Sequence, residues 1–222
     1  MQKQRVKVIA SLALMAGCLI FLGTRFVHFR PRLDPREHIG IGTVLAERAI
    51  KLAAGGGRIV LIAPDTELFD YPGAEVQLKA FHSTLRRAKV RVSATYPVRL
   101  DPLRPPRAPV GDLAEILRKY NSESDVVVSL LGPGVPSPEL KSKLLPRHAR
   151  IVALCSGEMP RQINLGPLFD ENLLHVAIVS RAHPDFIRPT SDEPMVWFDH
   201  FYQVITTRRA AELLDPAKAG SP

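Results

Sequence analysis

Six residues stand where an α/β protein does its chemistry: Asp65 and Thr66, Gly132 and Gly134, Cys155 and Ser156. Each pair follows a short apolar run: Arg58-Ile-Val-Leu-Ile-Ala63, Asp125-Val-Val-Val-Ser-Leu-Leu131 and Ile151-Val-Ala-Leu154. Such runs read as strands covered on both faces, and in a parallel sheet the loops that follow them share one edge. A carboxylate placed there can bind a hydroxyl group or act as a general base. A cysteine there is a nucleophile when a base such as His175 or His183 stands beside it. Glycines between a strand and a helix let a phosphate approach backbone N–H groups.

Each candidate has a plainer competing account. Asp65 fits a solvated turn or a helix N-cap, and Cys155 fits a small apolar residue buried at a strand end. Leu130-Leu-Gly-Pro-Gly-Val-Pro-Ser-Pro138 is not a P-loop, because no Lys-Ser or Lys-Thr follows its glycines at the required spacing. Pro133, Pro136 and Pro138 also lack the N–H groups that cradle a phosphate, so the segment reads as a rigid strand-to-helix turn. Gly40-Ile-Gly42 follows no strand and lacks a third glycine, and Ser156-Gly157 lacks the nucleophile elbow of hydrolases. The seven histidines (His28, His38, His82, His148, His175, His183 and His200) are never three or four residues apart. No metal site and no cofactor are expected.

The elements that must position these residues follow from periodicity. Ile41, Val44, Leu45, Ala49 and Leu52 make a helical face closed by Gly55-Gly-Gly57. A second face runs through Val76, Leu78, Phe81, Leu85 and Ala88, followed by an alternating strand at Val90–Thr95. Residues 97–110 are proline-rich and must loop over the surface. Leu113, Ile116, Leu117 and Tyr120 mark a helix capped by Asp112, and Ser137-Pro138 opens another. After the strands Ile151–Leu154 and Leu174–Val179, the stretch Pro194–Ile205 puts Phe198, Phe201, Tyr202 and Ile205 on one helical face. Strands alternating with helices predict an α/β fold, a doubly wound and mostly parallel sheet of about five strands with helices on both faces.

The N-terminus has a different character. Residues 1–38 hold seven Lys/Arg against two acids, so they carry +5 of the chain's net +8 and the remaining chain only +3. Basic residues flank an uncharged run, Val8–Thr24, long enough for a short membrane span. A cleaved signal peptide is the rival, but no Ala-x-Ala site closes the run. Met15-Ala-Gly-Cys18 resembles a lipoprotein signal, yet the apolar run continues past Cys18. The expected organisation is a single-pass N-terminal anchor at 1–24, a juxtamembrane linker at 25–39, an α/β domain with a C-terminal helix at 40–214, and a tail at 215–222. Three basic residues precede the span and four follow it, so the positive-inside count barely decides orientation. Anchors with so short a tail usually export the body, which places the domain in an extracytoplasmic, periplasmic compartment. With no aromatic-basic motif in the body, nucleic acid is not an expected partner.

From residue 40 to about 182 the chain resembles one lobe of the type I periplasmic-binding, LacI-like sugar-sensor family. The resemblance is carried by Gly55-Gly-Gly-Arg-Ile-Val-Leu-Ile62, Leu78-Lys-Ala-Phe81, Ser124-Asp-Val-Val-Val128 and Ala149-Arg-Ile-Val-Ala-Leu154, in that order. It departs from the family at Ala80 and Lys89, which stand where glycine is preferred, and after Leu154, where Asp-Asp is absent. The resemblance implies a ligand-binding α/β lobe, and only one lobe's worth of chain is present.

Two functions remain. One is a membrane-tethered, non-catalytic binding or assembly module, held to the membrane through residues 8–24. It would meet a protein partner, a second copy of itself, or a small hydroxylated or anionic ligand. The other is a membrane-anchored enzyme acting on a small molecule at the carboxyl-end rim of the sheet, through Asp65 and Cys155. The absence of a recognisable catalytic motif favours the first.

Overall fold

The computed structural model describes residues 12–23, 33–54, 56–66, 71–100, 110–142, 148–157, 159–181 and 188–207. The chain forms two compact units, one ending at Leu33 and one beginning at Asp34. In the first, residues 12–23 form helix α1. Its large apolar side chains are all exposed, from Leu22 at 50% to Leu14 at 74%. No helix among the described residues is long and apolar enough to cross a membrane. α1 is part of the expected 8–24 span, whose residues 8–11 and 24 lie outside the described residues, as do linker residues 25–32.

The second unit opens with α2 (Pro35–Leu52). The Asp34 carboxylate accepts a hydrogen bond from the Arg36 N–H at 3.1 Å, and Pro35 fills the first helical position where no N–H is needed. Asp34-Pro35 is thus a start signal inside the stretch expected as linker. The elements that follow are β1 (Ile59–Pro64), α3 (Pro72–Arg87), β2 (Val92–Val98), α4 (Val110–Lys119), β3 (Val126–Ser129) and α5 (Pro138–Lys141). Then come β4 (Arg150–Cys155), α6 (Met159–Gln162), α7 (Leu165–Asp170), β5 (Val176–Ser180), α8 (Pro194–Phe201) and β6 (Tyr202–Ile205). Helix α4 begins at Val110, so Asp112 lies within its first turn instead of capping it. The expected tail at 215–222 and most of the 97–110 loop lie outside the described residues.

The six strands form one sheet in the order β2-β1-β3-β4-β5-β6. The first five are parallel and β6 runs antiparallel to β5, so the sheet is α/β and mostly parallel as expected, with one strand more. That strand corrects the reading of Pro194–Ile205 as one helix. Helix α8 stops at Phe201, Tyr202 is extended, and the run Tyr-Gln-Val-Ile205 pairs with Ala177–Ser180. A β-branched, aromatic segment beside an unpaired strand gains more from the ladder than from another helical turn.

Helices cover both faces. Ile41, Leu45, Phe81, Leu85 and Phe198 pack with Leu61, Val128 and Ile178 on the α2–α3–α8 side. Leu113, Leu117, Leu165 and Leu168 pack with Val60, Val127 and Ile151 on the side of α4 and α7. Strand interiors are buried on both faces, which is why their sequences read as continuous apolar runs.

The Gly40-Ile-Gly42 pattern has a packing purpose. A Cβ on Gly40 would stand 2.6 Å from the Pro194 carbonyl oxygen of α8, and one on Gly42 would meet the Gln77 carbonyl of α3. The two glycines let α2 lie against a helix on either side. The same helix is clasped at its first turn to the end of the domain. Arg36 donates to Ser191 O and Asp192 and sits 4.3 Å over the Trp197 ring, while Tyr202 Oη donates to Glu37 at 2.8 Å.

Candidate functional site

The carboxyl edge of the sheet brings Asp65, Thr66, Gly132, Ser156 and Gly157 to the ends of neighbouring strands. Asp65 follows the last residue of β1, and its N–H donates to Val98 O at 2.8 Å, closing the ends of β1 and β2 together. Asp65 and Thr66 are half-buried, and Ser156 and Gly157 are exposed. Glu67 and Glu158, their acidic neighbours, lie outside the described residues.

After β3 the chain turns on itself. Ser129 Oγ donates to Gly132 O at 2.7 Å and accepts from the Leu131 N–H at 3.2 Å. Gly132 takes φ +82°, a left-handed conformation that glycine adopts without strain. Its missing side chain leaves room for Met159 at the start of α6, and that of Gly134 for Leu113 of α4. Both glycines are buried, so they shape the β3 turn and lock it to its neighbours. The expected rigid strand-to-helix turn is what forms, with α5 opening at Pro138 as the Ser137-Pro138 signal predicts.

After β4, Gly157 also takes a left-handed φ of +62°, and its N–H donates to Ser180 Oγ at 2.9 Å, joining the ends of β4 and β5. Ser180 and Arg181 complete this rim, with Arg181 Nε fixed by Asp199 O and Tyr202 O. Sequence reasoning passed over both, although the rule that found the other loops applies equally to the two residues that end an apolar run at Val179.

Cys155 differs from the rest. It is fully buried, and burial pushes its thiol up to about 12. A thiol so placed is neither ionised at neutral pH nor within reach of a solute. Its expected base is also misplaced. His175 precedes β5 and its N–H donates to Ile151 O, four residues before Cys155, so the two lie about 13 Å apart along the strands. His183 lies outside the described residues.

Concavities occur at both edges of the sheet and beside β2, where one reaches Val98, the hydrogen-bond partner of Asp65. One of about 570 Å³ opens at the amino edge, between His148, Arg150, Asp170 and His175. There His175 Nδ1 accepts from the Ile151 N–H at 3.1 Å, and burial, followed by the fields of His148 and Arg150, depresses it to about 4. Beside it, the Asp125 carboxylate accepts from the Arg58 N–H, Nε and Nη2 at 2.9, 3.1 and 2.6 Å. Burial raises the Asp125 pKa, but these hydrogen bonds outweigh it and hold the carboxyl below the usual range. Two further clefts, of about 670 and 420 Å³, flank β2 on its α3 and α4 faces. No group of three or more metal-ligating side chains occurs among the described residues.

No protein-family model matches the chain. No curated protein matches it. Solved structures do. A protein from Mycobacterium smegmatis is 12% identical with a TM-score of 0.52, over 82% of this chain and 62% of its own. A galactofuranose binding protein is 10% identical with a TM-score of 0.50, over 82% and 63%. A sugar transporter from Clostridium phytofermentans is 14% identical with a TM-score of 0.48, over 77% and 60%. The chain therefore spans less than two thirds of the length of these structures. At such identities the likeness shows the fold alone: the domain has a periplasmic-binding-protein-like α/β fold.

Proposed function

We propose that this protein is a non-catalytic binding module that presents one sugar-binding-type α/β lobe from a membrane surface. The observation that carries the reading is the carboxyl rim. There the loops after β1, β4 and β5 bring Asp65, Thr66, Ser156, Gly157 and Ser180 to one edge, with the β3 turn between the first two and the rest, in a fold shared with a galactofuranose binding protein. Carboxylate and hydroxyl groups along one edge suit a small hydroxylated ligand. The buried thiol of Cys155 supports binding over nucleophilic chemistry. The exposed apolar side chains of α1, within the uncharged run 8–24, support an anchor, and the domain is then held outside the cytoplasm.

A lone lobe offers an open shelf, so a second subunit or lobe would be needed for tight binding. The test is a thermal-shift screen of the full chain in neutral detergent against pentoses, hexoses and a galactofuranoside. A ligand at 100 times its Kd adds about 2.7 kcal/mol of stability and raises the melting temperature. Asp65→Ala and Ser156→Ala should abolish that shift while leaving the unliganded melting temperature unchanged. A sugar that binds both variants like wild type, or substitutions near Phe198 that remove binding instead, would place the site elsewhere.

A further inference from the structure

We propose that the β2 edge of the sheet is a docking groove for an extended acidic peptide of a partner protein, which adds a strand beside β2. β2 ends the strand order, and among the described residues no strand pairs with its outer side. Val98 O faces β1, where it accepts from the Asp65 N–H, so the alternate residues Thr95 and Pro97 turn their backbone outward. Thr95 offers both an N–H and a carbonyl, and Pro97 a carbonyl alone. Both side chains are exposed.

The space beside that edge is shaped for a strand. A cleft lies on each face of β2, so side chains of an added strand would point alternately into the two. The α4-side cleft is walled by Val98, Leu113, Ile116 and Tyr96, with Glu115 and Lys119, one charge of each sign, also in its lining, so it favours apolar side chains there. The α3-side cleft has an apolar floor at Leu85, Val90 and Val92, under Arg86, Lys89 and Arg91, with no acidic residue in its lining. None of these three cations forms an ion pair with a described residue. The complementary strand alternates acidic with apolar residues.

Lys89 gives an independent sign. It follows α3 at φ +59°, a left-handed position that glycine or asparagine usually fills, as Asn172 does after α7. The chain holds a lysine in a strained backbone conformation on the wall of this groove, and observed strain of that kind marks functional positions. Other occupants fit less well. A bilayer needs a flat or convex basic face, and this one is concave. Single strands of nucleic acid bind on aromatic stacking platforms, and the basic cleft has no Phe, Tyr or Trp in its lining. A second copy joined edge to edge would set Arg86, Lys89 and Arg91 against their own counterparts.

The experiment uses the full chain in neutral detergent and a fluorescent octapeptide alternating Glu and Val, with a Lys-Val peptide as control. The Glu-Val peptide should bind in a salt-sensitive manner and the Lys-Val peptide should not. Arg86→Glu should weaken binding about tenfold. Lys89→Gly should weaken it about threefold while raising the melting temperature, a combination that a purely structural lysine would not give. Thr95→Pro removes the outward N–H at an edge that already tolerates Pro97, and should also cost about tenfold. None of these variants should alter a sugar response at the carboxyl rim, so this proposal and that reading fail separately. Equal binding of the two peptides would overturn the groove. So would displacement of the peptide by short-chain phosphatidylserine or oligothymidine at lower concentrations than the unlabelled peptide, or retention of full affinity by both Arg86→Glu and Thr95→Pro.

Discussion

Replacing Gly40 by alanine tests how closely α2 and α8 are fitted. The new methyl carbon would lie 2.6 Å from Pro194 O and 2.9 Å from Phe198 Cβ. Carbon atoms in contact prefer about 3.5–4.0 Å, so the helices must part by roughly 0.6–1.1 Å, or α8 must tilt. One obstacle is backbone and the other a Cβ, so no rotamer change relieves the clash. Overpacking of this kind costs about 1–3 kcal/mol, while exchanging glycine for alanine inside a helix returns up to about 1 kcal/mol. Because neither obstacle can swing aside, the upper part of that range applies, about 2–3 kcal/mol less about 1, so the net loss is about 1–2 kcal/mol and the melting temperature of a domain this size falls by roughly 2–8 °C. Gly111→Ala is the control. Nothing lies within 4 Å of its added carbon, and it sits exposed in the first turn of α4, so it should gain about 0.4–1 kcal/mol. Circular dichroism melts and urea titrations of the two variants should move in opposite directions. If Gly40→Ala melts at or above wild type, the account of the glycine pair as a packing device is wrong.

Four further outcomes concern Asp125 and Cys155, which are buried, and His175, which is half-buried. Asp125→Ala removes three hydrogen-bond acceptances from Arg58 but leaves a guanidinium that is 51% exposed and can rehydrate, so urea unfolding should show a loss of about 2–3 kcal/mol. Because Asp125 titrates below its ordinary value when folded, its stabilisation is present above about pH 3.8 and lost as the pH falls further; Asp125→Asn should remove that acid dependence. His175 is depressed from 6.5 to about 4, so between those values the unfolded chain holds more protons and stability declines as pH drops. His175→Gln should flatten urea midpoints between pH 6.5 and 4.5, and an unchanged slope would sink the assignment. In a Cys18→Ser background, iodoacetamide should label Cys155 at least about a hundredfold more slowly in the folded protein than in urea, and prompt labelling would show the thiol to be accessible.

Much of the fold was legible because doubly covered strands leave unbroken apolar runs, and β1, β3, β4 and β5 all fell where such runs stand. What was lost was lost locally. Tyr202–Ile205 carries residues that suit a helical face as well as a strand, and only the free edge of β5 decides between them. Asp34-Pro35 was overlooked as a helix start because the surrounding prolines and arginines read as linker. The rim loops were found by their place after strands, but sequence could not tell which of their residues face inward. Gly132 and Gly134 are filled from outside by Met159 and Leu113, partners on other elements that no spacing rule connects to them. Arg86, Lys89 and Arg91 carry no signal as a group in the sequence, because the bare strand edge beside them exists only once the sheet is ordered.

The clasp between α2 and the end of the domain also bears on how the protein is made. α2 is the first element of the domain to leave the ribosome, yet its seats for Pro194, Trp197 and Phe198 stay vacant until about 155 more residues have been added. At about 5–20 residues per second that is a wait of roughly 8–30 s. Until then the half-made domain carries α2 with its Gly40 face uncovered. A stop anywhere before Pro194 would leave that helix without its partner for good. Completion of β6, not the start of folding, is then the event that separates a released domain from one that must be held by a chaperone or cleared.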